Sequence, residues 1–405
     1  MIDIQSKQDC CGCSACVQRC PKHCITMCED EEGFIYPHID MTLCIDCGLC
    51  EKVCPVRNPD VPKQPLQVYA AKHVNSDVML HSSSGGVFIV LATEIIKRGG
   101  VVFGARFDKQ WAVIHSYVEK LDELPLFMRS KYVQSCIGSV YEDVESFLKR
   151  GRYVLFAGTP CQIAGLHRFL HKEYEQLLTV DVVCHGVPSP MIWREYLAEI
   201  CKDAHLTLQQ ITSVNFRAKQ NEGYEWKQYG LVVKSKQSEK TIHDVVYACD
   251  CQNDPYLKGF IRNLYIRPSC HHCPAKAGSS NSDLTLGDFW GVESIEPAFY
   301  DGKGVNSVFV HTDKGRDFLA CLKDIFLMRV DYQQAILFNS SYYESTPLSR
   351  QRDKFWNTYF QDHQIKTAVE SALYISKVVQ LYCNIRNVVI YQSRRIIRYI
   401  YKYFK

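Results

Sequence analysis

The sequence lacks the long apolar runs that mark membrane-spanning and secreted proteins. No stretch approaches the roughly 18 consecutive apolar residues of a transmembrane helix. The opening segment, MIDIQSKQDC, contains no apolar region of a secretory signal. The 405-residue chain is 46% hydrophobic and can bury a sizeable core, so its 21 cysteines are not needed as disulfide staples. We therefore expect a folded cytoplasmic protein.

Acidic residues are missing from the end of the chain. Residues 371–405 contain seven basic residues and no acid, although the whole chain has a net charge of only +3. Apolar residues recur there at helical spacing, at Val378, Tyr382, Ile385, Val389, Ile396 and Ile400. The pattern predicts a basic helical tail over residues 341–405, which lies on the inner face of an anionic membrane or packs on protein. No reader motif accompanies the basic residues, so we expect no nucleic-acid partner.

Cysteine, in contrast, is abundant, and eleven of the 21 cysteines lie within the first 54 residues. They form two runs of Cys-x2-Cys-x2-Cys-x3-Cys-Pro, the spacing of bacterial two-cluster ferredoxins. In such proteins the fourth cysteine of each run binds the other 4Fe–4S cluster. Zinc is the alternative, but it prefers two separated Cys-x2-Cys pairs. The spacing predicts one cluster bound by Cys10, Cys13, Cys16 and Cys54, and a second bound by Cys44, Cys47, Cys50 and Cys20.

The surroundings of the two runs predict an α+β ferredoxin head over residues 1–60. We expect Gly12 and Gly48 to leave room beside the clusters, and the fourth cysteine of each run to begin a helix. Between the runs, ITMCEDEEGFIYPHID predicts two strands joined by a turn at Glu32 and Gly33. The stretch VRNPDVPKQP predicts an extended linker. Three cysteines lie outside the pattern: Cys11, Cys24 and Cys28. Because Cys11 is adjacent to Cys10, either of these two could be the first ligand of the run.

After the linker, residues 66–340 predict an α/β domain. Apolar runs such as VYAAKH, VVFGARF, YVLFAG and LTVDVV alternate with helical patterns such as VFIVLATEIIK and PMIWREYLAEICKD. Gly99 and Gly100 fit a helix C-cap. No Gly-x-Gly-x-x-Gly opens a helix after a strand, so a Rossmann nucleotide site is not predicted.

Four later cysteines are placed where ligands collect in α/β proteins. Cys161 and Cys184 each follow an apolar strand directly. With the pair Cys270-x2-Cys273 they supply enough thiols for a third 4Fe–4S cluster. The alternative is that Cys161 and Cys184 are buried small hydrophobic residues, while the pair binds zinc or nothing. His185 is either a proton donor or a hydrogen-bonding neighbour of these ligands.

Two short polar stretches lie between the runs and these cysteines. SSSGGVF, at residues 82–88, precedes a helical pattern and suits either a phosphate or a simple N-cap. SKYVQS, at residues 130–135, places a lysine and hydroxyls beside a tyrosine. Neither stretch identifies a ligand by itself.

In combination, the motifs resemble a known family. The ferredoxin runs are followed in order by SSGGVF, SKYVQS, GTPCQIAGL, CHGVPSP, RPSCHHC and SDLTLGDFWG. Together they resemble the family of coenzyme F-420 hydrogenase/dehydrogenase beta subunits, in particular its bacterial members with a fused ferredoxin head. The resemblance covers residues 10–330. It implies that the α/β domain binds flavin, as FAD, and that Cys161, Cys184, Cys270 and Cys273 hold an extra cluster beside it. By the same likeness, the FAD contacts are Ser83, Ser84, Gly85, Gly86, Lys131 and, near the isoalloxazine ring, Asp288.

These features predict an iron–sulfur flavoprotein oxidoreductase. Electrons would pass from a one-electron donor such as ferredoxin through the 4Fe–4S clusters to FAD, and then as hydride to a small molecule. The resemblance links bacterial relatives to polysaccharide biosynthesis, so a sugar intermediate and coenzyme F-420 are two candidate substrates, and the sequence does not identify the substrate. The alternative is an electron-transfer subunit whose partner enzyme holds the substrate site. No catalytic residue is identified by the sequence.

Overall fold

The computed structural model describes residues 1–236 and 244–374 of the chain. Its strands are β1 (Ile25–Glu29), β2 (Ile35–Ile39), β3 (Gln67–His73), β4 (Val101–Phe107), β5 (Val113–Val118), β6 (Val154–Gly158), β7 (Leu177–Val182), β8 (Ile211–Ala218), β9 (Gly230–Ser235), β10 (Asp244–Asp250), β11 (Leu284–Asp288), β12 (Asn306–Val310) and β13 (Ile325–Val330). Its helices are α1 (Ala15–Gln18), α2 (Leu49–Lys52), α3 (Ser76–Leu80), α4 (Val87–Lys97), α5 (Val140–Lys149), α6 (Pro160–Leu170), α7 (Pro190–Asp203), α8 (Pro255–Ile261), α9 (Val292–Ile295), α10 (Asp313–Ala320), α11 (Tyr332–Ile336), α12 (Arg352–Asp362) and α13 (Ile365–Leu373). Met1–Ser349 form one unit, and Arg350–Lys405 form another.

The head contains the hairpin of β1 and β2, which pair antiparallel. In the turn, the Asp30 carboxylate accepts hydrogen bonds from the amides of Glu32 and Phe34 at 3.2 and 2.8 Å. Gly33 has a φ of +80°, a conformation that glycine adopts without steric cost. The predicted arrangement of strand, turn and strand is confirmed.

Each cysteine run contains a short helix, but this helix begins earlier than predicted. α1 contains Cys16 and α2 contains Cys50, the third cysteine of each run, whereas the fourth cysteines follow the helix ends. The residue before each helix, Ser14 or Gly48, is left-handed with a φ of 60° or 70°. This conformation reverses the chain before the third cysteine, so the helix starts there. The prediction that the fourth cysteine begins the helix is wrong.

A mixed sheet organises the residues that follow. Within the described residues it has eight strands in the order β13–β3–β12–β11–β7–β6–β4–β5. The central strands β11, β7, β6 and β4 are parallel, and the flanking pairs are antiparallel. Phe103 and Phe156 face α5 and α6, while Val102 and Leu155 face α4 on the other side. The central strands are mostly apolar, which fits a sheet covered by helices on both faces. The predicted α/β domain is confirmed, with antiparallel edges in addition.

Two helices, α4 and α6, begin at the carboxyl edge of this sheet. α6 begins with Pro160 after β6, and Thr159 and Gln162 form a capping box around its first turn. α4 begins after Gly86, which has a φ of +82°. At the other end of α4, Gly99 has a φ of +72°, which confirms the predicted C-cap.

One further sheet was not predicted from the sequence pattern. β8, β9 and β10 form a separate antiparallel sheet. In the second unit, α12 and α13 bury Phe355, Tyr359 and Val369. The basic and apolar positions after residue 374 that carry the predicted tail helix lie outside the described residues. Among the helices that are described, none is both long and apolar enough to cross a membrane.

Candidate redox-cofactor sites

The first group of thiols lies inside the head. Cys13, Cys16 and Cys54 are only 7–8% exposed, and Cys10 and Cys54 act electrostatically on Cys16. Burial raises the pKa of Cys16 to about 12, because a thiolate in an apolar core is unfavourable without a cation. The structure thus groups the residues of the first predicted ligand set, including Cys54 from the second run.

The second group surrounds a small cavity of about 20 Å³. Cys20 of the first run lines this cavity together with Cys44, Cys47 and Cys50 of the second run. Cys24, which the ligand pattern leaves out, also lines it, and its Sγ lies 3.4 Å from that of Cys20. The second predicted ligand set is therefore grouped around one cavity, with an additional thiol beside it.

The two cysteine runs build the same loop. The amide of Gly12 donates to the Sγ of Cys10, and the amide of Asp46 donates to the Sγ of Cys44, both at 3.4 Å. Gly12 and Asp46 both have positive φ, at 71° and 49°. Such N–H···S hydrogen bonds stabilise negative charge on sulfur, as metal-bound thiolates require.

Gly12 and Gly48 have different roles. A Cβ on Gly12 would lie 2.6 Å from Nε2 of Gln134, so this glycine leaves room for the packing of the head on Gln134. A Cβ on Gly48 would meet nothing within 4 Å. Gly48 lines the cavity of the second thiol group and has a left-handed φ of 70°, and its role of leaving room beside a cluster stays a prediction.

A third group of thiols lies at the carboxyl ends of β6 and β7. Cys161 is in the first turn of α6, and Cys184 lies two residues beyond β7. Cys184 and Cys273 both act electrostatically on Cys270, and Cys161 acts on Cys184. Burial raises the pKa of Cys184 to about 12 and that of Cys273 to about 11. The tertiary structure thus brings together the four thiols that the resemblance associates with an extra cluster.

Lys276 supports this third group, and sequence reasoning missed it. Its Nζ donates hydrogen bonds to the carbonyl oxygens of Cys184 at 2.6 Å and Ser341 at 2.7 Å. Burial raises the pKa of Cys184 and Cys273, and the positive charge of Lys276 acts in the opposite direction. A lysine three residues after the last cysteine, in CHHCPAK, was the only signal in the sequence.

Cys11 connects the head to the third group. Contact with Cys11 and burial both raise the pKa of the Cys161 thiol, and Cys11 also contacts Cys13. A Cβ on Gly165 of α6 would lie 3.0 Å from the Sγ of Cys13, so this helix packs closely on the head. A buried thiol outside the ferredoxin pattern therefore lies between the first and third groups.

A cavity of about 500 Å³ opens at the same edge of the sheet. It is bounded by the ends of β6, β7 and β11 and by the N-terminus of α4. Cys184 and His185 line it, so the cavity directly adjoins the third thiol group. It is also lined by most of the residues implied as FAD contacts, namely Ser83, Ser84, Gly86, Lys131 and Asp288.

Gly85 is placed behind the cavity wall. A Cβ there would lie 2.5 Å from the carbonyl oxygen of Ala71 and 3.0 Å from the amide nitrogen of Asn306. Both of these residues lie on strands of the large sheet, so Gly85 allows the loop to pack closely against the sheet.

Arg217, which sequence reasoning missed, provides a buried positive charge at the cavity. Its side chain is 3% exposed, and its Nη1 lies 3.0 Å from Oδ2 of Asp288. The guanidinium lies 4.0 Å from the ring centre of Tyr229 and donates to the hydroxyl of Tyr132 at 3.2 Å. Although burial opposes the charge, Asp288 keeps the pKa of Arg217 above its ordinary value. The only signal for Arg217 in the sequence was a charged residue within the apolar stretch VNFRAK.

Two lysines lie near this end of the cavity, and burial weakens their positive charge. Burial lowers the pKa of both Lys131 and Lys219 to about 7. The Nζ of Lys131 donates to the carbonyl oxygen of Met128 at 2.9 Å. The Nζ of Lys219 donates to Met79 at 2.6 Å and to Ser84 at 3.2 Å, so it holds the serine loop from behind. Lys219 was also missed by sequence reasoning.

The two histidines at the cavity are neutral hydrogen-bonding groups. Nε2 of His185 lies 2.7 Å from Oδ1 of Asn263, and burial lowers the pKa of His185. Burial lowers the pKa of His115 to about 4, and its two nitrogens contact the hydroxyl of Ser135 at 2.8 Å and the carbonyl of Ala157 at 3.1 Å. The contact with Asn263 favours a role of His185 as a hydrogen-bonding neighbour of the cysteine ligands over a role as a proton donor.

No preformed site for a single metal ion is present within the described residues. No group of at least three His, Cys, Asp or Glu side chains there is arranged to hold one ion.

Comparison with known proteins agrees with this arrangement. Residues 9–58 match the model of the 4Fe-4S dicluster domain. Residues 151–329 match the model for the C terminus of the beta subunit of coenzyme F420 hydrogenase/dehydrogenase. The two matches define an iron–sulfur protein of the oxidoreductase or electron-transfer type. The chain thus carries a 4Fe–4S dicluster domain at its N-terminus and a domain similar to the C terminus of coenzyme F420 hydrogenase/dehydrogenase beta subunits, which confirms the resemblance.

Individual relatives cover different parts of the chain. The coenzyme F420-dependent sulfite reductase of Methanocaldococcus jannaschii is 25% identical over 193 residues, which are 46% of this chain and 29% of that protein. The F subunit of the F(420)H(2) dehydrogenase of Methanosarcina mazei is 21% identical over 328 residues, which are 78% of this chain and 82% of that protein. The 7Fe ferredoxin of Hydrogenibacillus schlegelii is 49% identical over 43 residues, 11% of this chain and 49% of the ferredoxin. The chain thus spans less than a third of the sulfite reductase and about half of the ferredoxin.

Proposed function

We propose that the chain is an iron–sulfur flavoprotein that transfers electrons between its clusters and a bound FAD. The observation that carries the proposal is the position of Cys184, which belongs to the third thiol group and also lines the cavity of about 500 Å³. A cluster held by that group would therefore adjoin a flavin held in the cavity. Such adjacency is what electron transfer between the two cofactors requires.

The three thiol groups fit iron–sulfur clusters by their chemistry. All of their cysteines except Cys47 are buried or half-buried, and burial raises the pKa of Cys16, Cys184 and Cys273. Bound iron would supply the positive charge that such thiols need in order to ionise. The proposed ligand sets are Cys10, Cys13, Cys16 and Cys54; Cys44, Cys47, Cys50 and Cys20; and Cys161, Cys184, Cys270 and Cys273.

The cavity fits FAD by its size and charge. Its volume of about 500 Å³ is within the range of small-molecule sites, roughly 300–1,000 Å³. The amides at the start of α4, with Ser83 and Ser84, suit the pyrophosphate, Arg217 adds positive charge, and Lys131 also lines the cavity. Arg217 would hold Asp288 in a fixed orientation toward the ring. A bound flavin accepts electrons singly and delivers them as hydride.

The proposed reaction partners follow from the relatives and from the head. Coenzyme F-420, which is named for the sulfite reductase and for the dehydrogenase, is the first candidate for the hydride partner, and a sugar intermediate of polysaccharide biosynthesis is the second. A ferredoxin-like donor would meet the head near Cys47, the exposed member of the second group. Because the Methanosarcina relative is one subunit of its enzyme, the alternative is an electron-transfer subunit whose partner holds the substrate site.

Cofactor analysis of the anaerobically purified protein tests the proposal. We expect roughly twelve irons and one FAD per chain, given four irons per cluster. Cys184→Ser should lose about four of these irons, whereas Cys321→Ser, at an exposed cysteine on the surface, should lose none. Roughly eight irons without flavin in the wild type would contradict the flavoprotein and leave an electron carrier. If flavin is present, hydride transfer to coenzyme F-420 by the isolated chain separates the enzyme from the electron-transfer subunit.

A further inference from the structure

Arg267 is a fully buried arginine at the junction of the head and the α/β part. It is 0% exposed and lies three residues before Cys270 of the third thiol group. Two of its nitrogens donate into the head: Nε to the carbonyl of Cys10 at 2.8 Å, and Nη2 to the carbonyl of Ile35 at 3.0 Å. The third, Nη1, donates to Oε1 of Gln134 at 2.9 Å. The guanidinium thus spans the boundary that electrons would cross between the first and third groups.

The positive charge of Arg267 has no carboxylate partner within 4 Å among the residues that the structure describes. Its three hydrogen-bond acceptors are neutral, and its remaining close neighbour is the ring of Tyr36, with its centre 4.3 Å from Cζ. Arg217, the other deeply buried arginine discussed above, does have such a partner in Asp288. Because an unpaired buried charge is strongly unfavourable, the environment of Arg267 calls for an anion.

The groups that can supply this anion are the cluster thiols. Cys10, Cys11 and Cys270 are the sulfur groups that act electrostatically on Arg267, together with Tyr36. A 4Fe–4S core held by four thiolates is a net anion, and reduction makes it more negative. A fixed cation beside it therefore favours the reduced state.

We propose that Arg267 is the counter-cation of the cluster bound through Cys10, and that its charge raises the reduction potential of that cluster. This inference rests on the proposed function, since it requires the cluster to be present. Arg267 acts through electrostatics and positioning, and takes no part in hydride transfer. Its location between Cys10 and Cys270 makes the head more easily reduced at the side that faces the third group.

The test is a redox titration of the reconstituted protein, followed by electron paramagnetic resonance. Arg267→Gln should make one cluster at least tenfold harder to reduce, which is 59 mV for one electron. Arg267→Lys keeps the charge and should restore most of the potential. Arg316→Gln removes an exposed arginine of α10 and should leave all potentials unchanged. Equal potentials in the glutamine variant and the wild type, or equal losses in the glutamine and lysine variants, would overturn the inference.

A second variant decides the question if Arg267→Gln does not fold. Gln134→Glu leaves the arginine in place but sets a carboxylate against Nη1, and should also make the cluster at least tenfold harder to reduce. An unchanged potential in Gln134→Glu would overturn the role of the charge. Iron analysis of each sample separates this outcome from a failure of the proposed function, because a protein without clusters shows no iron, whereas a failed inference shows full iron with unshifted potentials.

Discussion

Nη1 of Arg217, on β8, lies 3.0 Å from Oδ2 of Asp288, at the end of β11. The two residues come from different sheets, and their ion pair forms part of the cavity wall. Asp288 is the residue that the family resemblance places near the flavin ring, and Arg217 holds its carboxylate in position.

Removal of this carboxylate should destabilise the protein strongly. Asp288→Asn leaves the buried guanidinium of Arg217 without its counter-charge, which costs about 3–5 kcal/mol for a buried pair. The urea midpoint should fall, and less FAD should be retained. Asp313→Asn, in an exposed pair with Arg316, should leave stability nearly unchanged. Equal effects of the two substitutions would show that the cavity pair contributes no special stability.

The free energy of unfolding of the protein should depend on pH through Lys131, which lines the cavity. Burial lowers its pKa from 10.5 to about 7, so between these values the unfolded chain binds more protons than the folded one. Stability therefore rises as the pH increases from 7 toward 10.5, by at most about 1.4 kcal/mol per pH unit. The difference in melting temperature between the wild type and Lys131→Met should shift in favour of the wild type from pH 7 to pH 9. A constant difference would contradict the lowered pKa.

The crossed ligand sets can be tested with pairs of substitutions. If Cys16 and Cys54 bind the same cluster, the double variant Cys16→Ser/Cys54→Ser should lose about four irons. Cys16→Ser/Cys20→Ser removes two cysteines of one run, but they belong to different clusters, so about eight irons should be lost. Cys28→Ser, at an exposed thiol, serves as the control. If instead Cys16→Ser/Cys54→Ser loses about eight irons and Cys16→Ser/Cys20→Ser about four, each cluster is bound by the cysteines of a single run.

The turn of the head should tolerate no side chain at Gly33. Its φ of +80° disfavours any Cβ, and a Cβ there would also collide with the Cβ of Met191 on α7. Gly223 has a φ of +88° but open space around it, so Gly223→Ala measures the conformational cost alone, about 1 kcal/mol. Gly33→Ala should cost about 1–3 kcal/mol more in thermal unfolding experiments, because of overpacking. If Gly33→Ala and Gly223→Ala reduce the free energy of unfolding by similar amounts, the hairpin can move away from α7 at little cost.

The local patterns were sufficient for much of the architecture. The hairpin of β1 and β2, the C-cap at Gly99 and the alternation of strands and helices follow from turn residues and hydrophobic period, which act over a few residues. The ferredoxin spacing is likewise local, so the dicluster domain was recognisable from it. The domain boundaries 1–60, 66–340 and 341–405, the twelve cysteine ligands and the FAD contacts stay predictions.

The sequence by itself determined the spacing of the cysteine runs and the identity of the α/β elements, because both depend on neighbours along the chain. Only the tertiary structure decided that Cys11 meets Cys161, that Arg217 pairs with Asp288, and that Arg267 reaches Cys10. The last two of these contacts join residues that are 71 and 257 positions apart. No local period or turn signal encodes such pairings, since they arise from how the sheets and the head pack together around the buried charges.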